Sequence, residues 1–168
     1  MPRASRPGRA EEGAVPLSRT TCSPEETELI GRRLSTCLSP GDVVALEGPL
    51  GAGKTVIVRG IARGLGFEGP VTSPTFTIIH VFEDVRLCHV DAFRLSSGDD
   101  LDEAGFEEYL DSSWICAVEW ANVVADALPR GALTVRIEMG DAEDDRLVSV
   151  IAPERSTARV ASALEGPA

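Results

Sequence analysis

Positions 48 to 55 read Gly-Pro-Leu-Gly-Ala-Gly-Lys-Thr, and that string narrows the fold more than any other stretch of the chain. It matches G-x-x-x-x-G-K-[ST], a pattern that works only with a strand before it and a helix after it. Both flanks fit. Val43 to Leu46 is a short apolar run suited to a buried strand, and Lys54 to about Arg63 has helical character closed by Gly64 and Gly66. The glycines let backbone N–H groups turn inward around phosphate, and the helix N-terminus adds partial positive charge. An ammonium at Lys54 bridges the outer phosphates, and the Thr55 hydroxyl can sit on Mg²⁺. The chain is therefore predicted to bind a nucleoside triphosphate through Gly48, Leu50, Gly51, Ala52, Gly53, Lys54 and Thr55.

The rest of the chain is read around this loop. Residues 1–19 are rich in Pro, Gly and Arg and poor in apolar side chains, which predicts a disordered tail. Ser23 followed by Pro24, Glu25 and Glu26 has the form of a helix N-cap with acidic residues in the first turn. Phe76 to Phe82 and Val85 to Val90 are β-prone runs around Glu83-Asp84, and Trp114 to Val118 is a further strand of the buried kind. Leu101 to Leu110 is predicted helical, with Gly105 breaking or bending it. Leu133 to Ile137 and Leu147 to Ile151 flank a turn from Gly140 to Asp145, and residues 156–168 read as a C-terminal tail. Strands interspersed with helices, some too closely connected for parallel crossovers, predict one α/β domain over 20–155. Its form is three-layered and P-loop NTPase-like, with a central mixed sheet flanked by helices.

A magnesium-nucleotide site also needs a carboxylate at the end of a neighbouring strand. Asp91 follows Leu87-Cys88-His89-Val90 and Glu119 follows Ile115-Cys116-Ala117-Val118. Alone, either is an ordinary strand cap; beside a phosphate loop, where α/β sheets bind their ligands, both become site candidates. Thr75, in Ser73-Pro74-Thr75, lies where such proteins place a loop that senses the γ-phosphate. His89 near Asp91 hints at a proton relay, but a lone strand histidine is more often a packed one. Trp120 is either core or a cap over the site.

Composition limits the partners. A net charge of −11 argues against tight unaided binding to RNA or DNA, whose phosphates reward clustered cations. The stretch from Asp99 to Asp111 carries acidic residues with no basic one among them, either a solvated face or a docking surface for a basic patch. The four cysteines are too widely spaced for a CxxC pair and read as small buried hydrophobes in a reducing compartment. No run approaches about 18 apolar residues and no apolar run follows the N-terminal arginines, so neither a membrane span nor a secretory signal is predicted and the expected location is cytoplasmic.

Taken in order, Gly-Pro-Leu-Gly-Ala-Gly-Lys-Thr, Ser73-Pro74-Thr75-Phe76-Thr77, His89-Val90-Asp91-Ala92-Phe93-Arg94-Leu95 and Val118-Glu119-Trp120 resemble the bacterial TsaE family. The resemblance spans about residues 22–152. It implies the small P-loop ATPase of the machinery that installs threonylcarbamoyladenosine on tRNA, working with TsaB and TsaD and meeting tRNA only through that complex. It also implies ATP and Mg²⁺ as ligands, with Thr55 and Glu119 holding the metal, Asp91 needed for hydrolysis near the γ-phosphate and Thr75 as the switch threonine. Adenine would lie near Ser23 and Pro24, within Ser23 to Thr27, and Trp120 would be functional. Phe76 and Phe93 stand where the family usually has tyrosine, and Ala92 where it has a larger apolar residue, so no phenol acts at those positions here.

Alternatives divide by residues. A GTPase would read guanine with Asn-Lys-x-Asp, and Lys54 is the only lysine. A small-molecule kinase would carry an arginine-bearing lid, and no lid insertion is evident. A non-catalytic switch, in which ATP orders the Thr75 loop for a partner, shares every residue with the ATPase. The predicted chemistry is in-line attack of water on the γ-phosphorus, with Lys54 and Mg²⁺ stabilising charge and either Asp91 or Glu119 positioning the water.

Overall fold

The computed structural model describes residues 16–111 and 113–166. Its elements follow in the order β1 (Leu17–Thr21), α1 (Pro24–Ser35), β2 (Val43–Glu47), α2 (Lys54–Gly64), β3 (Ile79–Phe82), β4 (Leu87–Asp91), α3 (Gly98–Glu103), β5 (Ile115–Glu119), β6 (Leu133–Met139), β7 (Arg146–Ile151) and α4 (Thr157–Glu165). One sheet runs β1-β7-β6-β2-β5-β4-β3. Its centre, β6-β2-β5-β4, is parallel, and both margins are closed by antiparallel pairs. Strands β2, β4 and β5 are buried nearly along their length and read as near-continuous apolar runs, as expected of strands covered on both faces.

Alternation along each strand sends side chains to two separate cores. Leu46, Ile115, Ala117 and Val135 meet Ile30, Leu34, Ile57, Ile61 and Val160 of α1, α2 and α4. On the other face Ala45, Val90, Cys116 and Val118 meet Leu101, Phe106 and Val124. The result is the three-layered mixed α/β architecture that the pattern predicts.

Helices α1 and α2 touch backbone to backbone. A Cβ at Gly31 would stand 2.2 Å from the Ile57 carbonyl oxygen, and one at Gly60 would stand 2.1 Å from the Glu28 carbonyl oxygen. Only glycine permits this approach. It brings the start of α1 beside the phosphate loop, where the Thr27 methyl lies 3.6 Å from the place a Cβ on Gly53 would take.

Several boundaries differ from the sequence reading. Leu17 to Arg19, read as tail, belong to β1, which backbone pairing with β7 holds at the sheet edge although most of its side chains face solvent. The C-terminal stretch contains α4, whose Val160 and Leu164, one turn apart, bury in the first core. Positions 1–15 of the predicted N-terminal tail lie outside the described residues. Strand β3 starts only at Ile79, because Thr77 and Ile78 donate to the Pro74 carbonyl and form a turn. Gly105, at φ 87°, splits the predicted helix into α3 and a 3₁₀ turn over Phe106–Tyr109. Cys88 and Cys116 are buried, but Cys37, just past the end of α1, is only half-buried and Cys22, which follows an edge strand, is exposed.

Candidate functional site

The phosphate loop bridges the carboxyl end of β2 and the start of α2. Gly53 caps α2 in the left-handed region, at φ 106°, a conformation that an L side chain rarely adopts. Ala52 is buried and Leu50 stands out from the loop, 74 % exposed. Lys54 is buried; its Nζ donates to the carbonyl oxygens of Gly48 and Pro49, both at 2.8 Å, and lies 3.9 Å from the centroid of the Trp120 ring. Burial pushes the ammonium below its ordinary pKa, and the charges of Glu119 and Asp91 act against that shift. Trp120 is a half-buried floor under the cation and also packs on Phe93, ring centroids 5.0 Å apart. Its φ of 57° is rare for a bulky residue, a strain of the sort that concentrates at functional positions.

Beside the loop, β4 and β5 end in register, Asp91 opposite Glu119. Both carboxylates are buried. Glu119 Oε1 accepts from the Thr55 hydroxyl at 2.7 Å and pairs with His89 Nε2 at 2.8 Å. Asp91 Oδ2 accepts from the Thr75 hydroxyl at 2.8 Å and from the Ser73 hydroxyl, and Oδ1 accepts from the Phe93 N–H at 3.0 Å. The fold thus gathers Lys54, Thr55, Thr75, Asp91, Glu119 and Trp120 at the carboxyl ends of the interior strands β2, β5 and β4. Ser23 and Pro24 lie at the start of α1, where Ser23 accepts from Glu26 N–H and the Glu26 carboxylate accepts from Cys22 N–H, a reciprocal cap.

Ser73 and Arg146 were not singled out as site residues from the sequence, and His89 was read as packed without a partner. Ser73 shares the turn with Thr75, and its distance of two positions was the available signal. His89 is packed, as strand histidines usually are, but its partner is Glu119, not the nearby Asp91; its Nδ1 is buried without a hydrogen bond. Arg146 reaches the loop from β7, bonding the Ala52 carbonyl at 2.9 Å.

The donor set suits a hard cation. No cluster of three or more His, Cys, Asp or Glu side chains among the described residues forms a metal cage. Thr55 and Glu119 supply oxygen only, which fits Mg²⁺, an ion held by one or two protein groups together with substrate phosphates and water. A cavity of about 460 Å³ lies along the loop, lined by Gly48, Pro49, Trp120 and Arg136 among others. A larger one, about 860 Å³, opens between α1 and α4 and contains none of the predicted site residues. Of the predicted site residues, Gly48 and Trp120 line the smaller cavity.

A family model described as "Threonylcarbamoyl adenosine biosynthesis protein TsaE" matches residues 21–148. The chain belongs to the TsaE family. A protein of Bacillus subtilis (strain 168) named tRNA threonylcarbamoyladenosine biosynthesis protein TsaE is 40 % identical over 138 residues, 81 % of this chain and 85 % of that one. Its Streptomyces coelicolor namesake is 42 % identical over 123 residues, 69 % of this chain and 82 % of that one. A crystal structure of Bacillus subtilis YdiB superposes with a TM-score of 0.76 at 32 % identity, covering 92 % of this chain and 97 % of that chain. The family that the four motifs resembled is therefore the one to which the chain belongs, and the TsaE match covers the phosphate loop and both strand-end carboxylates.

Proposed function

We propose that this chain is the ATP-binding and ATP-hydrolysing component of the machinery that forms threonylcarbamoyladenosine in tRNA. The observation that carries this is the pair of buried carboxylates side by side at the phosphate loop, each held by a different set of hydroxyls. Lys54 donates to the outer phosphates of ATP. Thr55 and Glu119 hold Mg²⁺, which when bound neutralises charge developing on the phosphate oxygens. His89 keeps Glu119 in place when Thr55 turns its hydroxyl toward the metal. Asp91, in contact with Thr75, orients the water that attacks in line. Adenine lies at the start of α1 near Ser23 and Pro24, and Trp120 supports Lys54 from below.

Partners follow from charge and family. TsaB and TsaD are the proposed companions, with tRNA met only through them, since a chain of net charge −11 gains little from RNA phosphates. The exposed carboxylates of Asp99, Asp102, Glu103, Glu107 and Glu108, set over the buried Leu101 and Phe106, offer a firm docking face for a basic surface. No helix among the described residues is long and apolar enough to cross a membrane, consistent with the cytoplasmic location proposed here.

The test is phosphate release by the purified chain, alone and with TsaB and TsaD. Slow release that rises with the pair supports the proposal, and an unchanged rate counts against those partners. One observation favours a second reading: the direct bond from Thr75 to Asp91 links the sensing loop to the catalytic end, as a nucleotide switch requires. In that reading, a variant that binds ATP but does not hydrolyse it still supports repeated rounds of tRNA modification.

A further inference from the structure

Arg146 opens β7, 94 positions beyond the loop residue it touches first. Its Nε donates to the Ala52 carbonyl at 2.9 Å and its Nη2 to the Gly51 carbonyl at 3.3 Å. Its Nη1 donates to the carbonyls of Glu143 and Asp145, both at 2.7 Å. One guanidinium therefore ties the outer side of the phosphate loop to the turn between β6 and β7. That turn is itself closed by Gly140 N–H on the Asp145 carbonyl at 2.8 Å.

Peptide geometry gives this contact its meaning. A carbonyl and the N–H that follows it share one plane, so holding the carbonyls of Gly51 and Ala52 also sets the direction of the N–H groups of Ala52 and Gly53. The Ala52 N–H closes the loop on the Pro49 carbonyl at 3.2 Å, and the Gly53 N–H is of the kind that a phosphate loop aims at its anion. Drawing charge from the carbonyl side also makes each N–H a better donor. A guanidinium suits the task because it is planar, always charged and forked.

We propose that Arg146 is a positioning residue for phosphate binding, holding two peptide planes of the loop from behind. It acts through the loop and not on the reacting atoms. The inference rests on the nucleotide reading of the preceding subsection and deepens it.

The experiment compares wild type, Arg146→Met and Arg146→Lys for binding of ADP and of inorganic pyrophosphate, each with Mg²⁺ and with EDTA, and for the KM and kcat of ATP hydrolysis. Arg146→Met is expected to weaken ADP and pyrophosphate alike by about tenfold, the scale of one to two lost hydrogen bonds. KM rises by the same factor, kcat stays within about twofold, and the loss is the same with and without Mg²⁺. Arg146→Lys, with a point charge in place of a fork, loses about threefold. If Arg146→Met does not fold, Arg146→Lys decides alone. Unchanged ADP affinity in a folded variant overturns the inference, as does a loss for ADP that pyrophosphate does not share, which would place Arg146 on the base side. Wild-type protein that binds neither ligand overturns the nucleotide reading and this inference with it.

Discussion

The ends of β4 and β5 carry the same chemical group in adjacent register, yet the fold treats them differently. Glu119 is held from within: Thr55 belongs to α2, His89 to the neighbouring strand, and both helix and strand are packed in the core. Asp91 is held from outside, by hydroxyls of Ser73 and Thr75 on a loop and by the N–H of Phe93. Rigid partners suit a group that fixes a metal, and loop partners suit a group whose setting changes with the γ-phosphate. In the function proposed above, two carboxylates on paired strands divide a task because their donors differ.

Glu119 is where the two strand ends should differ most. Glu119→Gln is expected to lower turnover by about 100- to 1000-fold and to weaken nucleotide binding in Mg²⁺ but not in EDTA, as read by phosphate release and calorimetry. Asp91→Asn should cost about 100-fold in kcat with Mg²⁺-ATP affinity unchanged. Should it weaken Mg²⁺-dependent binding as Glu119→Gln does, the two ends share one role and the division is wrong. His89→Leu removes the inner support of Glu119 and is expected to raise the Mg²⁺ concentration for half-saturation by about tenfold. His89→Gln, which keeps a donor near the Nε2 position, should restore most of that, and a glutamine variant as poor as leucine would show that shape and not the hydrogen bond matters. Thr75→Val should reduce kcat only several-fold; combined with Asp91→Asn it should add little, because the two side chains act as one unit. Full additivity in that cycle would separate the loop from Asp91.

How much of this was legible in the sequence depends on whether a residue's role is local. Lys54 and Thr55 are fixed by an eight-residue motif, and Asp91 and Glu119 by their position after apolar strands, so the candidate site could be assembled before any fold was known. The central sheet followed from runs such as Leu87 to Val90 for the same reason. His89 could not be paired in advance, because its partner lies 30 positions away and is selected by strand register. Arg146 gave no signal at all; nothing distinguishes one arginine from another until the β6–β7 turn folds back on the loop. Strand β1 was missed because Leu17 is its one large apolar side chain and its backbone bonds carry it. Helix α4 was missed because its two buried anchors, Val160 and Leu164, sit among small residues that read as a frayed end.

The Gly31–Gly60 contact has a mechanical consequence. Side chains in a core can hop between rotamers, whereas two backbones in contact have no soft coordinate between them, so α1 and α2 translate and turn together as one stiff strut. Both N-caps, Ser23 and Gly53, lie at the same end of this strut. The spacing between the start of α1 and the phosphate loop is therefore fixed by two backbones in contact, like the jaws of a fixed gauge, whatever the loop holds.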